Sequence, residues 1–387
     1  MKKIIIVGAG VSGVYLAILL KQKLNDQIDV TVLEQNSSSL KKLLATGNGR
    51  CNLSNQDMSI DYYQSDNNQI VDHIIHSFDM SKEMEKLGLI CRYHGKLLYP
   101  YSEQALSVKN ILMGEALRHN VSFIYDEEVI DVVPQYIIST QKSQYFCDYV
   151  VFAMGSEAGK LSGVQQTRYH ILKKLGLNII PTFPSLVQMT TQPALKQLKG
   201  VRVKGLFSLL EKGQCIHQEK GELLFTDYGV SGIAVMQLSA FFQQGHQYEL
   251  SIRLFDDLGQ DKLRKLIEDR VKKDYNHIYD GLMNSKLAIY FEKQNISSIP
   301  QMTNQLYDMR LKVTGLRSFE TAQVMKGGLS LGEVYPSLEL KRYPHMYAVG
   351  EILNVAGMCG GYNLHFALAS AKNVALEIVR DFYDKNS

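Results

Sequence analysis

A chain of 387 residues is too long for one ordinary core and predicts two or three domains. With 45% hydrophobic residues, 21% charged residues and a formal net charge of +3, it reads as globular; disorder and a strong field for nucleic acid are both disfavoured. Its cysteines, Cys51, Cys91, Cys147, Cys215 and Cys359, form no CxxC pair, which argues against a disulfide framework, a four-cysteine zinc site or a dithiol reductase and favours a reducing, cytoplasmic setting.

The first twenty residues, MKKIIIVGAGVSGVYLAILL, have the look of a secretory leader, two lysines before a long uncharged run. The regular glycines argue otherwise, as does the lack of a small-residue cleavage site before Lys21-Gln22-Lys23. We expect a strand over Lys3 to Val7, a turn, and a helix over Val14 to Leu24. No membrane span is expected.

The turn, Gly8-Ala9-Gly10-Val11-Ser12-Gly13, fits G-x-G-x-x-G, and a second strand, Val30 to Leu33, ends in Glu34. Gly8 suits a tight turn, Gly10 a close backbone approach to a pyrophosphate, and Gly13 close helix–strand packing. N–H groups at the helix start face the phosphates. Glu34, with Gln35 beside it, stands where a carboxylate accepts the ribose hydroxyls and repels a 2′-phosphate, so FAD or NAD is expected rather than NADP.

A second glycine-rich stretch, Lys41 to Asn55, supplies Lys42, Thr46, Gly47, Asn48, Gly49, Arg50, Cys51 and Asn52. Such a loop offers backbone N–H groups and an arginine to a large polar ligand. FAD is long enough to need this second cradle. His73 and His76 share a helical face without a third ligand, and no metal site is expected. Strands are predicted at Glu127 to Pro134 and at Asp148 to Gly155, ending in Ala153-Met154-Gly155.

Between about 168 and 317 the pattern changes. Short strand-like runs fill Thr182 to Phe255, with a helix over Ser231 to Phe242. From Asp256 to Leu311 the reading is mainly helical, and Met302, Leu306 and Met309 fall at helical spacing, as packing residues do. No second G-x-G-x-x-G with its acidic partner occurs there, so a separate NADPH domain is not expected. The expected division is 1–167, 168–255, 256–311 and 312–387.

The final part reads as a strand, MYAVGE from Met346 to Glu351, ending at Gly350-Glu351, then a loop and a helix opening at Gly360-Gly361-Tyr362-Asn363. The segments IIIVGAGVSG, LLATGNGRCNLSN, LLYPYSEQALSV, VVFAMG, GELLFTDYGVSGIAVMQLS, TAQVMKGGLSLGEV and YAVGEILNVAGMCGGYNLHFALASA together make the chain similar to the bacterial FAD-dependent flavoproteins that include aminoacetone oxidase and the BaiN-type reductases of conjugated bile-acid enones. The resemblance implies an α/β fold: a Rossmann-like FAD-binding domain of glutathione-reductase type, with an inserted β-rich substrate domain and a helical cap. It further implies that the backbone of Val129 meets adenine and that Gly350 and Glu351 lie at the ribityl chain. Gly361, Asn363 and Leu364 would lie at the flavin N1–C2=O edge, where the positive end of a helix stabilises the reduced anion. A side chain at Gly361 would crowd the ring, and Cys359 and Tyr362 become candidate catalysts.

The implied activity is an FAD-dependent oxidoreductase of a small molecule. Oxidation of a small amine such as aminoacetone by oxygen leads, NAD(P)H-dependent reduction of an enone is the alternative, and a flavin-binding redox sensor is the third reading. The chain departs from the family pattern at Asn354 and Ala356, where aspartate is common, at His365, where glutamine is common, and at Met154, where threonine is common.

Overall fold

The computed structural model describes residues 1–159, 167–273, 277–294, 296 and 298–384. The chain divides into two compact units, residues 1–183 with 324–387 and residues 184–323.

The first unit is built on a five-stranded parallel sheet. Its strands are β1 (Lys2–Val7), β2 (Ile28–Leu33), β3 (Ser122–Ile124), β4 (Tyr149–Phe152) and β5 (Met346–Ala348), in the spatial order β5-β4-β1-β2-β3. Register is set by the pairs Ile4 with Val30 and Ile4 with Tyr149, and by Val150 with Met346. β1 is buried from Ile4 to Val7 and β4 along its whole length, as the unbroken apolar runs predict for strands covered on both faces. The first helix, Val11–Leu24, is apolar nearly all round and accordingly buried. It packs against the last helix, Tyr362–Asp384, so both ends of the chain close over one sheet. The helix Thr167–Lys174, beside the expected boundary at 168, groups with this unit.

The second unit holds a closed barrel of six antiparallel-paired strands: Met189–Gln192, Gly229–Ser231, Gln214–Phe225, Arg202–Glu211, Tyr248–Arg253 and Met309–Leu316, in spatial order. Its longest pairing, Arg202–Glu211 with Gln214–Phe225, is a hairpin that turns at Lys212-Gly213. Helices Gln260–Lys272, Ser285–Glu292 and Ile299–Tyr307 share one apolar core with the barrel, in which Phe207, Leu250, Leu263, Leu287 and Leu306 are all fully buried. The helix expected over Ser231 to Phe242 spans Ile233–Ser239. Met302 and Leu306 pack from one helix as expected, but Met309 opens a strand, because Asp308 leaves the helical region and the next residues alternate buried and exposed.

Candidate flavin site

The sheet's carboxyl edge is where an open α/β fold binds its ligand, and the chain puts its special backbone there. β1 ends at Gly8, whose N–H donates to Leu33 O at 2.8 Å. Gly8 has φ +109°, and a Cβ on it would lie 2.5 Å from Ala153 O, so no other residue fits. A Cβ on Gly13 would lie 2.1 Å from Gly8 O, which is the close helix–strand contact expected. Gly10 differs: a Cβ there would meet only Ala153 O at 3.9 Å. Gly10 is also the N-cap of the first helix and provides no capping side chain. A helix N-terminus with room in front of it is what a pyrophosphate requires.

Glu34 stands at the rim of this turn, 8% exposed. One carboxylate oxygen accepts the Ala9 N–H at 2.8 Å, and the other accepts the backbone and side-chain N–H groups of Asn36 at 2.8 and 2.6 Å. Three donors on one buried carboxylate fix its orientation. Gln35 is half-buried beside it. Glu127 N–H donates to Glu34 O at 2.9 Å, which brings the strand Val129–Val133, with Val129 buried, to the same edge. Asn36 was not among the expected site residues; its position two beyond an acid, where an Asx side chain folds back, is the available signal.

The stretch Lys42–Gly49 forms two short 3-10 turns separated at Thr46, Gly47 and Asn48, the last two in the left-handed region. Thr46 Oγ1 donates to Leu43 O at 2.6 Å, and Thr46 O accepts the Cys51 N–H at 3.1 Å. Gly49 is half-buried. Arg50 turns onto the protein itself: its guanidinium lies 5.1 Å from the Tyr99 ring centroid and 3.6 Å from Glu103. Cys51 is fully buried, and burial pushes its thiol pKa up to about 12, so it is a packing group.

Lys42 reaches across the unit. Its Nζ pairs with Glu351 Oε2 at 2.6 Å, and Ser156 Oγ donates to the same oxygen at 3.1 Å. Ser156 follows the turn Ala153-Met154-Gly155, in which Ala153 N–H donates to Val7 O at 2.9 Å, Met154 is half-buried and Gly155 has φ +67°. Nothing in the spacing of Ser156 distinguished it. Gly350 donates its N–H to Ser370 Oγ at 3.0 Å and leaves no space beside Ser12, whose Oγ would lie 2.7 Å from a Cβ. Val11 is half-buried at the helix start.

The last helix begins in a clamped loop. The Asn363 side chain accepts the Gly357 N–H at 2.8 Å and donates to Gly357 O at 2.7 Å, closing a ring around Met358 to Tyr362. The Asn52 amide donates to Ser54 O at 3.0 Å and accepts the Gly361 N–H at 3.2 Å. A Cβ on Gly361 would sit 2.6 Å from Ser54 O, and φ there is +94°. Gly361 is thus required by the Ser54 backbone, a constraint separate from the expected crowding of a cofactor ring. His365 N–H bonds Gly361 O at 3.0 Å and closes the first turn, ahead of which stand the N–H groups of Asn363 and Leu364. Tyr362 is 3% exposed, stacks on Tyr62 with ring centroids 4.7 Å apart, and donates its hydroxyl to Asp57 O at 3.2 Å. Cys359 is half-buried in the same loop.

The residues present fit FAD. An open helix N-terminus at Gly10, an oriented carboxylate at Glu34, a second loop held by Lys42 and Glu351, and a second helix start at Asn363 supply recognition for two nucleotide halves. Among the described residues no helix is long and apolar enough to cross a membrane.

Residues 2–377 match the HI0933-like protein Rossmann domain. The 3-dehydro-bile acid delta(4,6)-reductase of Clostridium scindens is 30% identical over 399 residues, which cover 96% of this chain and 97% of that protein. The ribosomal RNA dihydrouridine synthase of Escherichia coli is 27% identical over 407 residues, 97% of each. Among solved structures, the 3-ketosteroid-delta4-(5alpha)-dehydrogenase of Rhodococcus jostii aligns at a TM-score of 0.49 and 15% identity, covering 98% of this chain and 97% of that one. The chain belongs to the HI0933-like family, has a Rossmann-like FAD-binding fold, and is an FAD-dependent oxidoreductase.

Proposed function

We propose that the chain reduces a carbon–carbon double bond conjugated to a carbonyl in a small molecule, with a nicotinamide dinucleotide as the electron source. The observation that carries the reading is a bond change common to two full-length relatives. A delta(4,6)-reductase of a 3-dehydro-bile acid and a synthase of dihydrouridine both, by name, saturate a double bond in conjugation with a carbonyl. A small substrate is favoured over RNA because the net charge is only +3 and many cations are paired, such as Arg92 with Glu103 and Lys96 with Asp57.

In this reading Gly8 to Gly13 with Glu34 hold the adenosine and pyrophosphate part of FAD, and Val129 lies at the adenine. Lys42, Thr46 to Asn52, Ala153 to Gly155, Gly350 and Glu351 hold the remainder. Bound FAD supplies the hydride for the β-carbon of the substrate. The chain's own task is to supply the proton for the α-carbon and to exclude water. Tyr362 is a weak candidate, since burial pushes its hydroxyl above the ordinary tyrosine range and Asp57 O already accepts its proton. Cys359, in the loop that leads into the last helix, is the proton donor we assign.

Amine oxidation with oxygen is the second reading, favoured by the ATGNGRCN segment with Asn48. Against an aromatic amine cage at the last helix, the Tyr62 and Tyr362 rings stack at 4.7 Å and 17°, too close to admit a substrate between them. The test is anaerobic mixing with NADPH and a 4,6-dien-3-oxo steroid, beside aerobic mixing with aminoacetone. Steroid-dependent NADPH consumption supports the reduction. Peroxide formation from aminoacetone, with no response to NADPH, would replace it by the second reading.

A further inference from the structure

The side chain of His365 joins three segments that are far apart in sequence. Its ring is 4% exposed. One ring nitrogen, Nε2, lies 2.9 Å from Ile75 O, near the C-terminal end of the helix Asn68–His76. The other, Nδ1, lies 2.7 Å from Ser54 Oγ. A carbonyl only accepts, so Nε2 carries the proton, Nδ1 is the acceptor, and the Ser54 hydroxyl donates to it. The ring edge meets Phe78 at a centroid distance of 5.4 Å and 88°.

The position matters because of what the neighbours do. Ser54 is the residue whose backbone is pressed against Gly361, and Asn52 bridges Ser54 O and the Gly361 N–H. His365 closes the first turn of the last helix through its own N–H and, through its side chain, ties that turn to Ser54. The N–H groups of Asn363 and Leu364 are therefore aimed by a bracket of Asn52, Ser54 and Ile75, with His365 at its centre. The ring is neutral at neutral pH: burial lowers its pKa to about 4, with His76 adding to this, while the Ile75 hydrogen bond and Asp79 oppose it.

We propose that His365 is a positioning residue that sets the direction of the first-turn N–H groups and thereby the electron affinity of the bound flavin. This rests on the reading that those N–H groups face the flavin. If they stabilise the reduced, anionic form, loosening the bracket weakens FAD binding and moves the midpoint potential to more negative values. Glutamine keeps one donor and one acceptor at similar reach, whereas phenylalanine keeps only the bulk against Phe78.

The test uses the full chain, stripped of flavin and titrated with FAD, and the reloaded protein for potentiometry. His365→Phe is expected to raise the Kd for FAD about tenfold, the scale of one buried hydrogen bond left unmade, and to make the potential more negative. His365→Gln is expected to stay within about twofold of wild type in Kd and to keep its potential. Ser54→Ala supplies a second, smaller disturbance of the same bracket and is expected to move both quantities in the same direction. A lower melting temperature for His365→Phe with unchanged Kd and potential would leave His365 a packing residue and overturn the proposal. Glu34→Gln in the same titration separates the two levels of argument. If it too leaves FAD binding unchanged, the placement of the flavin is wrong and the proposal falls with it.

Discussion

Lys42 Nζ lies 2.6 Å from Glu351 Oε2 across 309 residues of sequence, and Ser156 Oγ donates to the same oxygen at 3.1 Å. The pair is partly exposed, with side-chain accessibilities of 38% and 21%, so its own contribution to stability is small, up to about 1 kcal/mol. Glu351→Ala is expected to leave the apo melting temperature within a few degrees of wild type. The same variant is expected to cut the stabilisation that added FAD gives, since that stabilisation grows with the logarithm of ligand concentration over Kd. Melting curves with and without FAD check this; equal FAD-induced shifts in wild type and variant would remove Glu351 from the site.

Gly361→Ala tests the bracket at the last helix. The added methyl meets Ser54 O at 2.6 Å and the backbone is held at φ +94°, so the helix start or the Ser54 strand must move. The expected loss is more than about 2 kcal/mol, with weakened FAD retention. Gly114→Ala is the opposite case. Gly114 lies exposed within the helix Ala105–Arg118, has nothing within 4 Å of an added Cβ, and is expected to gain about 0.5–1 kcal/mol on substitution. Urea unfolding of both variants checks the two signs together.

These two glycines show which parts of the fold and site could be read in the sequence. Gly8, Gly13 and Glu34 were legible because their roles are local: a turn, one helix contact and an acid at a fixed distance. Gly361 was legible as a required glycine, but its contact with Ser54 was not, because Ser54 lies some three hundred residues earlier. Ser156 and the His365–Ser54 link carry no local pattern at all. The barrel was legible as strands up to Phe255 but not in its last strand or as a closed set, since closure joins Met189–Gln192 to Met309–Leu316 and no periodicity encodes such a pairing. Met309 misled because its spacing from Met302 and Leu306 also fits a helix, and only the backbone at Asp308 ends that helix.

His365 also predicts a pH dependence. Its folded pKa of about 4 lies below the ordinary 6.5, so between these values the unfolded chain binds a proton that the folded chain does not. Stability from this group is therefore complete above pH 6.5 and falls as pH drops towards 4, by on the order of 3 kcal/mol. Glutamine at this position does not titrate. Urea unfolding from pH 7 to pH 4 is expected to show a steeper loss for wild type than for His365→Gln, and parallel curves would remove His365 as the source.

Tyr362 and Cys359 occupy one loop and are expected to separate cleanly on substitution. Tyr362→Phe keeps the stack on Tyr62 and the edge contact with Tyr63, and loses a hydroxyl that bonds Asp57 O at 3.2 Å and meets the Tyr62 hydroxyl. The expected cost is up to about 1 kcal/mol of stability, with kcat within about twofold of wild type. Cys359→Ala removes the proton donor we assign, and kcat is expected to fall about a hundredfold while FAD remains bound. Because the lost function is proton delivery, the rate at which NADPH reduces the bound flavin should be unchanged, and only the rate with the unsaturated substrate should fall. Stopped-flow traces of the two half-reactions distinguish the cases. A slow oxidative half-reaction in Tyr362→Phe and a normal one in Cys359→Ala would reverse the assignment, making the tyrosine hydroxyl the acid despite its bond to Asp57.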